Sequence, residues 1–407
     1  MAPAPPPVAP TPPKPAHWSL ERAIRSNILA LLPYRCARDD YEHGILLDAN
    51  ENALGHALPA PAAQGTAQDT SFDDLDLHRY PSPTHYDIKE RLCALRNVPS
   101  PHNFFLGVGS DEVIDLLFRI GCIPGRDRVL VCPPTYGMYS VCAQVNDVDV
   151  VKVNLELEGG SFRPRVDEIN RTLSEAARSD RPIKLTFLCS PGNPTGTLIP
   201  LDDIRAVLAN PDYDGLVVVD EAYIDFAGTD KSAARLLVEE GWSNLVIMQT
   251  LSKGFGLAAI RLGIAISSPE IIQVLNNIKA PYNISTPTAA LALRALSPQG
   301  LDAFRRNIAT LISNRAYLID ALRATPGVIA LPGANDANFV LAQIGGRAGE
   351  PDNERAKRIY THMAEEDQVV VRFRGNEPGC EACLRITVGT REECDEVVKR
   401  LAALLQQ

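Results

Sequence analysis

Short, almost unbroken apolar runs recur along the chain at residues 129–132, 149–153, 185–189, 216–219 and 245–248. Between them lie longer stretches whose apolar positions return at helical spacing. Val-, Leu- and Ile-rich runs without polar alternation predict strands buried on both faces. Helices between such strands imply right-handed crossovers, and so a mostly parallel sheet. The alternation runs from about residue 111 to 296. Beyond residue 307 the pattern changes to a helix over 309–323, a short β region at 337–343, strands at 369–372 and 384–388, and a last helix over 391–406. That last helix has an apolar face at Val397, Leu401, Leu404 and Leu405. The expected fold class is α/β, a large domain at 79–306 and a smaller α+β domain at 307–407. Residues 18–78 are expected to form an N-terminal arm and part of the smaller domain.

Three of the apolar runs deliver unusual groups at their carboxyl ends, where ligands bind in open α/β sheets. After 245–248 come Thr250, Ser252 and Lys253, in a segment of small residues, with Arg261 eight positions further on. An amine beside hydroxyls and a guanidinium suits an aldehyde cofactor that carries a phosphate. By itself this lysine equally fits a solvated loop. After 216–219 come Asp220 and, three residues on, Tyr223. A carboxylate at the tip of a buried strand is costly unless it meets a cation. The protonated ring nitrogen of pyridoxal phosphate is such a cation, with Tyr223 donating to the ring oxygen. The other reading is an N-cap for a following helix. After 185–189 comes Ser190-Pro191-Gly192-Asn193-Pro194-Thr195-Gly196, a turn stiffened by its prolines, which offers the Asn193 amide to the same ring oxygen.

Asn193, Asp220 and Lys253, in that order on successive strand ends, resemble a fold-type-I pyridoxal-phosphate enzyme of the aminotransferase class. The nearer resemblance is to the histidinol-phosphate aminotransferase family. It is carried by Leu47–Asn52, Arg79-Tyr80-Pro81, Gly109-Ser110-Asp111-Glu112, the stretch from Cys132 to Tyr139, and the stretch from Cys383 to Glu393. Gly192 stands where many relatives have Asn, Ala259 where many have Gly, and residues 57–74 look inserted. The resemblance implies pyridoxal 5′-phosphate bound by Lys253, with Asp220 and Tyr223 as its catalytic partners. Ser110 and Asp111 at a helix start, Thr250, Ser252 and Arg261 would hold the phosphate, Tyr136 would stack on the ring, and Asn193 would meet its oxygen. Tyr80 is expected from the neighbouring subunit of a homodimer. Arg385 and Arg372, with Tyr34 and Asn50 closing over them, would bind substrate anions, Arg374 being a lesser candidate. The implied reaction moves an amino group between histidinol phosphate and 2-oxoglutarate, giving imidazole-acetol phosphate and glutamate, in histidine biosynthesis. Aromatic aminotransferases and threonine-phosphate decarboxylases share the Asn/Asp/Lys/Arg set.

Composition narrows the partners. The 407-residue chain has a net charge of −10, which disfavours nucleic acid and the regulators that join this fold to a DNA-binding module. Any anionic substrate must then be held by local arginines. No stretch approaches the roughly 20 apolar residues of a membrane span. Residues 1–17, with seven prolines before Lys14, are expected to be a disordered tail without secretory or import features. Nine cysteines, an odd number, fit reduced thiols in the cytoplasm. Cys380 and Cys383 form a C-x-x-C pair, but no second pair completes a zinc site, so no metal is expected.

Overall fold

A computed structural model describes residues 15–32 and 75–406. The expected 1–14 part of the tail, the 57–74 insertion, Tyr34 and Asn50 lie outside the described residues. Seven strands form the larger sheet: β1 (Phe104–Val108), β2 (Arg128–Val131), β3 (Asp149–Lys152), β4 (Ile183–Cys189), β5 (Leu216–Asp220), β6 (Leu245–Thr250) and β7 (Leu262–Ile266). Their order is β1-β7-β6-β5-β4-β2-β3. The five central-to-edge strands from β6 to β3 are parallel, while β7 runs antiparallel to both β6 and β1. This mixed sheet is the fold expected from the alternating pattern, with an antiparallel pair that the pattern did not reveal. The apolar runs of β1 and β7 are interrupted by Gly107 and Gly263, which hides them from the pattern.

The unbroken apolar runs have a direct cause. Leu216 and Val218 enter one apolar cluster and Val217 and Val219 the other; Val246 and Met248 separate from Leu245 and Ile247 in the same way. Both faces of the sheet are covered, so period-2 alternation places apolar residues on both sides. Residues 18–28 pack into the cluster of Leu216 and Val218 through Trp18, Ala23, Ile24 and Ile28, and the Arg25 N–H donates to the Ile120 carbonyl. They therefore cover the larger sheet.

The second sheet is antiparallel, ordered β10-β11-β9-β8, from β8 (Val328–Ala330), β9 (Phe339–Ile344), β10 (Arg372–Phe373) and β11 (Cys383–Thr387). It has its own apolar cluster, which includes Leu318, Val340, Leu384 and Leu401. Two local expectations shift here. The helix expected over 309–323 is longer, Pro298–Arg323, because Ser297 accepts the Gly300 N–H and Pro298 fits the first turn. The strand expected at 369–372 shrinks to the two residues of β10; Val370 is exposed, and the Val369 N–H turns back to the Met363 carbonyl.

One close approach sets the geometry at the sheet's carboxyl edge. The helix Gly109–Gly121 starts directly against β7, where a Cβ on Gly263 would lie 2.2 Å from the Gly109 carbonyl carbon. The Gly109 N–H donates to the Arg261 carbonyl at 2.9 Å, and Gly109 has φ +72°. Backbone meets backbone here, so neither side can yield by rotating a side chain. Gly263→Ala is therefore expected to lower stability by about 1–3 kcal/mol in urea titration, with the m-value unchanged. An unchanged midpoint would show that the helix start moves freely on β7.

Candidate active site

The carboxyl ends of β4, β5 and β6, the start of the helix Gly109–Gly121 and the β10–β11 edge face one cavity of about 750 Å³. It brings together twelve of the residues singled out above: Ser110, Asp111, Tyr136, Asn193, Asp220, Tyr223, Thr250, Ser252, Lys253, Arg261, Arg372 and Arg385. Tyr80 does not line it. That side chain is 53% exposed and stacks on Tyr282 with ring centroids 4.6 Å apart.

At the floor, β4 and β5 pair in parallel with Cys189 opposite Asp220. Burial pushes the Asp220 carboxyl above its ordinary range. Two donors oppose that shift: the Tyr139 hydroxyl on Oδ2 at 2.6 Å and the Ala222 N–H on Oδ1 at 3.2 Å. No salt bridge reaches Asp220 among the described residues. A buried carboxylate on a cavity floor with no cation of its own is prepared for a cationic ligand. Tyr139, fully buried and stacked on Phe187, was not singled out from the sequence. Its signal was the spacing of three from Tyr136, which sets the two rings edge to face at 5.6 Å.

Lys253 follows β6, and its Nζ lies 5.9 Å from the centre of the Tyr223 ring. Its pKa is lowered, first by burial and then by the charges of Arg385 and Arg261. The amine is thus held nearer to its neutral, nucleophilic form. Beside it the Thr250 hydroxyl accepts the Ser252 N–H at 3.1 Å and lies 2.9 Å from the Ser252 hydroxyl. Arg261 sits 3.4 Å from Asp111, which also accepts from Tyr136 at 3.1 Å. Ser110, Ser252 and Arg261 therefore supply hydroxyl and guanidinium donors at one end of the cavity, while the Thr250 hydroxyl, 3.0 Å from the Leu262 carbonyl, orients Ser252.

The opposite wall is cationic. Arg385 on β11 stands opposite Arg372 on β10, and Arg374 follows two residues later. The Arg385 guanidinium donates to Asn193 Oδ1 and lies 5.1 Å from the centre of the Phe339 ring. Its Nε is buried without an acceptor among the described residues, as is that of Arg374. Arg374 is paired with Glu377 at 2.8 Å. Burial and the neighbouring Arg374 lower the Arg385 pKa. Three arginines facing one carboxylate leave an excess of positive charge, which suits a carboxylate or phosphate. Cys380 and Cys383 are fully buried behind this wall, and no cluster able to hold a metal occurs among the described residues.

A cofactor-type lysine and a buried carboxylate without a cation at the carboxyl edge of the mixed sheet, facing an arginine wall on the smaller sheet, are the groups of a cofactor-dependent enzyme that acts on anionic substrates. The chain belongs to the aminotransferase class I and II family, whose model matches residues 42–401. It is 48% identical to the histidinol-phosphate aminotransferase of Schizosaccharomyces pombe, an alignment that covers 96% of this chain and 98% of that one. With the Saccharomyces cerevisiae protein of the same name it shares 44% identity, over 94% and 96% of the two chains. Among solved structures, the histidinol-phosphate aminotransferase of Sinorhizobium meliloti in complex with pyridoxal-5′-phosphate superposes with a TM-score of 0.69 at 24% identity, over 88% of this chain and 90% of that one. The L-threonine-O-3-phosphate decarboxylase of Porphyromonas gingivalis superposes with a TM-score of 0.63 at 20% identity, over 81% and 92%. Both structures show the fold alone.

The electrostatics of Lys253 can be read chemically. In the ligand-free protein, labelling of Lys253 by an amine-reactive reagent, followed by mass spectrometry across pH, should reach half its maximum below the pH expected of a free lysine side chain. Arg385→Gln removes one of the two cationic neighbours and should move that midpoint upward. A midpoint that stays put would show that burial alone sets it.

Proposed function

We propose that this protein is a pyridoxal 5′-phosphate-dependent aminotransferase that interconverts histidinol phosphate and 2-oxoglutarate with imidazole-acetol phosphate and glutamate, a step of histidine biosynthesis. The observation that carries this reading is the single cavity in which a lysine held toward neutrality, an unpaired buried carboxylate and three arginines meet. The choice of substrate rests on relatives at 44–48% identity over nearly the whole chain. No helix among the described residues is long and apolar enough to cross a membrane. The eight described cysteines are all free, which supports a cytoplasmic setting.

The residues present fit the cofactor. Asp220 offers the counter-charge that a protonated pyridine nitrogen needs, and Tyr139 keeps that carboxylate oriented. Ser110, Ser252 and Arg261 are the donors for its phosphate, with Thr250 orienting Ser252 and Asp111 orienting Arg261 and Tyr136. Charge-assisted hydrogen bonds contribute about 1.5–3 kcal/mol each, so a few of them retain the cofactor between turnovers. Tyr136 would stack on the ring, and Tyr223 and Asn193 would meet its phenolic oxygen, Asn193 through the amide nitrogen because Arg385 donates to its Oδ1. When bound, the group acts as an electron sink for the negative charge that develops at the substrate's Cα.

The chain's own part in catalysis is to orient and to move protons. Lys253 would hold the cofactor, and its free Nζ is the base placed to take the α-proton of the amino substrate. Burial and two cationic neighbours favour the neutral amine that this task needs. Arg385 binds the glutamate α-carboxylate with its planar fork and takes the phosphate of the other substrate in turn, while Arg372 adds a second contact to the phosphate. Tyr34 and Asn50 are assigned to the same substrates. The working unit is a homodimer in which Tyr80, absent from its own chain's cavity, reaches the neighbour's cofactor phosphate.

Activity is tested by following amino transfer from histidinol phosphate to 2-oxoglutarate, with phenylalanine for comparison. A preference for phenylalanine would replace the substrate assignment. Lys253→Ala should abolish turnover, and borohydride reduction of the native enzyme should tag Lys253. A tag on Lys279 or Lys231 would overturn its role.

The two substrate arginines should separate kinetically. Arg385→Lys is expected to reduce kcat/KM for glutamate by about 10²-fold or more, because a point charge cannot replace a bidentate fork. Arg372→Ala should weaken the phosphorylated substrate more than glutamate. Equal losses for both substrates in both variants would mean that the arginines do not divide these tasks.

A further inference from the structure

Beneath the cavity, outside the reach of any substrate, lies a buried ion pair that the catalytic assignments do not use. Arg96, the last residue of the helix Tyr86–Arg96, donates through Nη1 to Asp225 Oδ1 at 2.6 Å, and both side chains are 3% exposed. A fully buried ion pair is poor evidence of stability, since removing two charges from water offsets most of their attraction. Its better-attested use is to fix one arrangement among several, and the surroundings of this pair show which arrangement that is.

Asp225 belongs to the short turn Ile224–Phe226, immediately after Tyr223. Its carboxylate packs against the residue next to Lys253. A Cβ on Gly254 would lie 2.3 Å from Asp225 Oδ2 and 2.8 Å from Asp225 Cβ. The position is glycine because the carboxylate occupies the space of a side chain. One carboxylate therefore separates the backbone carrying Lys253 from the turn carrying Tyr223, and Arg96 holds that carboxylate from behind. The Lys253 segment has further restraints along its length: the Gly256 N–H on the Lys253 carbonyl at 3.0 Å, the Leu257 N–H on the Leu251 carbonyl at 3.0 Å and the stacking of Phe255 on Phe304. Among these contacts, that of the Asp225 carboxylate is the one that joins it to the turn carrying Tyr223.

We propose that Arg96 is a positioning residue for the reaction: through Asp225 it sets where Lys253 sits relative to Tyr223. The inference rests on Lys253 as the cofactor-bearing lysine. Without the cation, Asp225 is left as an unpaired buried charge that turns toward water, and Gly254 loses the surface it rests on. Lys253 then shifts outward, away from the burial that depresses its basicity. A displacement of about 1 Å at a reacting group costs on the order of 10²-fold in rate.

The test uses the holoenzyme carrying Arg96→Met, which keeps length and apolar bulk but removes the charge. The expected result is a fall in kcat of about 10–100-fold while KM for glutamate stays within about twofold, because the arginine wall is untouched. The pH midpoint of the cofactor's visible band, which reports on the nitrogen linked to Lys253, should move upward, and Arg96→Lys should recover part of both losses. A purely structural role predicts a lower melting temperature with wild-type kcat and midpoint in the folded enzyme, and that result overturns the proposal. If Arg96→Met does not fold, Gly254→Ala presses on the same contact from the other side and keeps both charges. It should reproduce the loss in kcat and the upward midpoint. Wild-type values for both would overturn the proposal equally. Borohydride trapping distinguishes the two levels of the argument: a tag on another lysine removes the cofactor assignment, whereas a tag on Lys253 with wild-type kinetics in these variants removes only the positioning role.

Discussion

Asp220 ends a strand that is apolar on both faces, with its carboxylate on the cavity floor and without a cation among the described residues. Two donors support that charge against burial and the nearby Asp111. Tyr139 is buried to donate to it, the Ala222 N–H turns back to it, and Cys189 stands opposite it in the sheet. An isolated buried carboxylate would protonate or rearrange. Its persistence as a hydrogen-bonded acceptor makes sense in a protein completed by a cationic ring.

The second constraint is that the site is assembled from two sheets with different tasks. The larger, mixed sheet provides Asp220 at the end of β5 and carries Asn193 and Lys253 in the turns that follow β4 and β6. The smaller antiparallel sheet provides Arg372, Arg374 and Arg385. The two meet where Arg385 donates to Asn193, so an anion-binding residue and a residue assigned to the cofactor share one hydrogen bond. An anion that engages Arg385 therefore acts on a contact that also orients Asn193. With the roles proposed for Arg385 and Asn193, this contact links the binding of substrate to the placing of the cofactor ring.

Fold alone does not select the reaction. An aminotransferase and a phosphate-ester decarboxylase superpose on this chain comparably well, with TM-scores of 0.69 and 0.63. Both chemistries need a lysine, an electron sink and an anion pocket, and they diverge in what surrounds the substrate's Cα. Identity of 44–48% with histidinol-phosphate aminotransferases over nearly their full length is what separates the readings.

Local chemistry in the chain determined a good deal. The strands β4, β5 and β6 were legible because burial on both faces demands continuous apolar residues; Asp220 was legible because a carboxylate at such a strand end is costly without a cation, and Asn193 and Lys253 through their order after successive strands, which carries the family resemblance. Arg385 stood out as a charge inside an apolar strand. Tertiary structure decided the rest, for reasons that no periodicity carries. The β1–β7 pair depends on Gly263 letting a helix start press against the sheet, and the placing of residues 18–28 on the larger sheet depends on which apolar face remained uncovered. Tyr139 became the partner of Asp220 only when two strands and a helix brought residues 81 positions apart to 2.6 Å. Arg96 and Asp225 are ordinary charges on ordinary elements in sequence. Their meaning arises from burial and from the missing side chain of Gly254, and both belong to the packed chain.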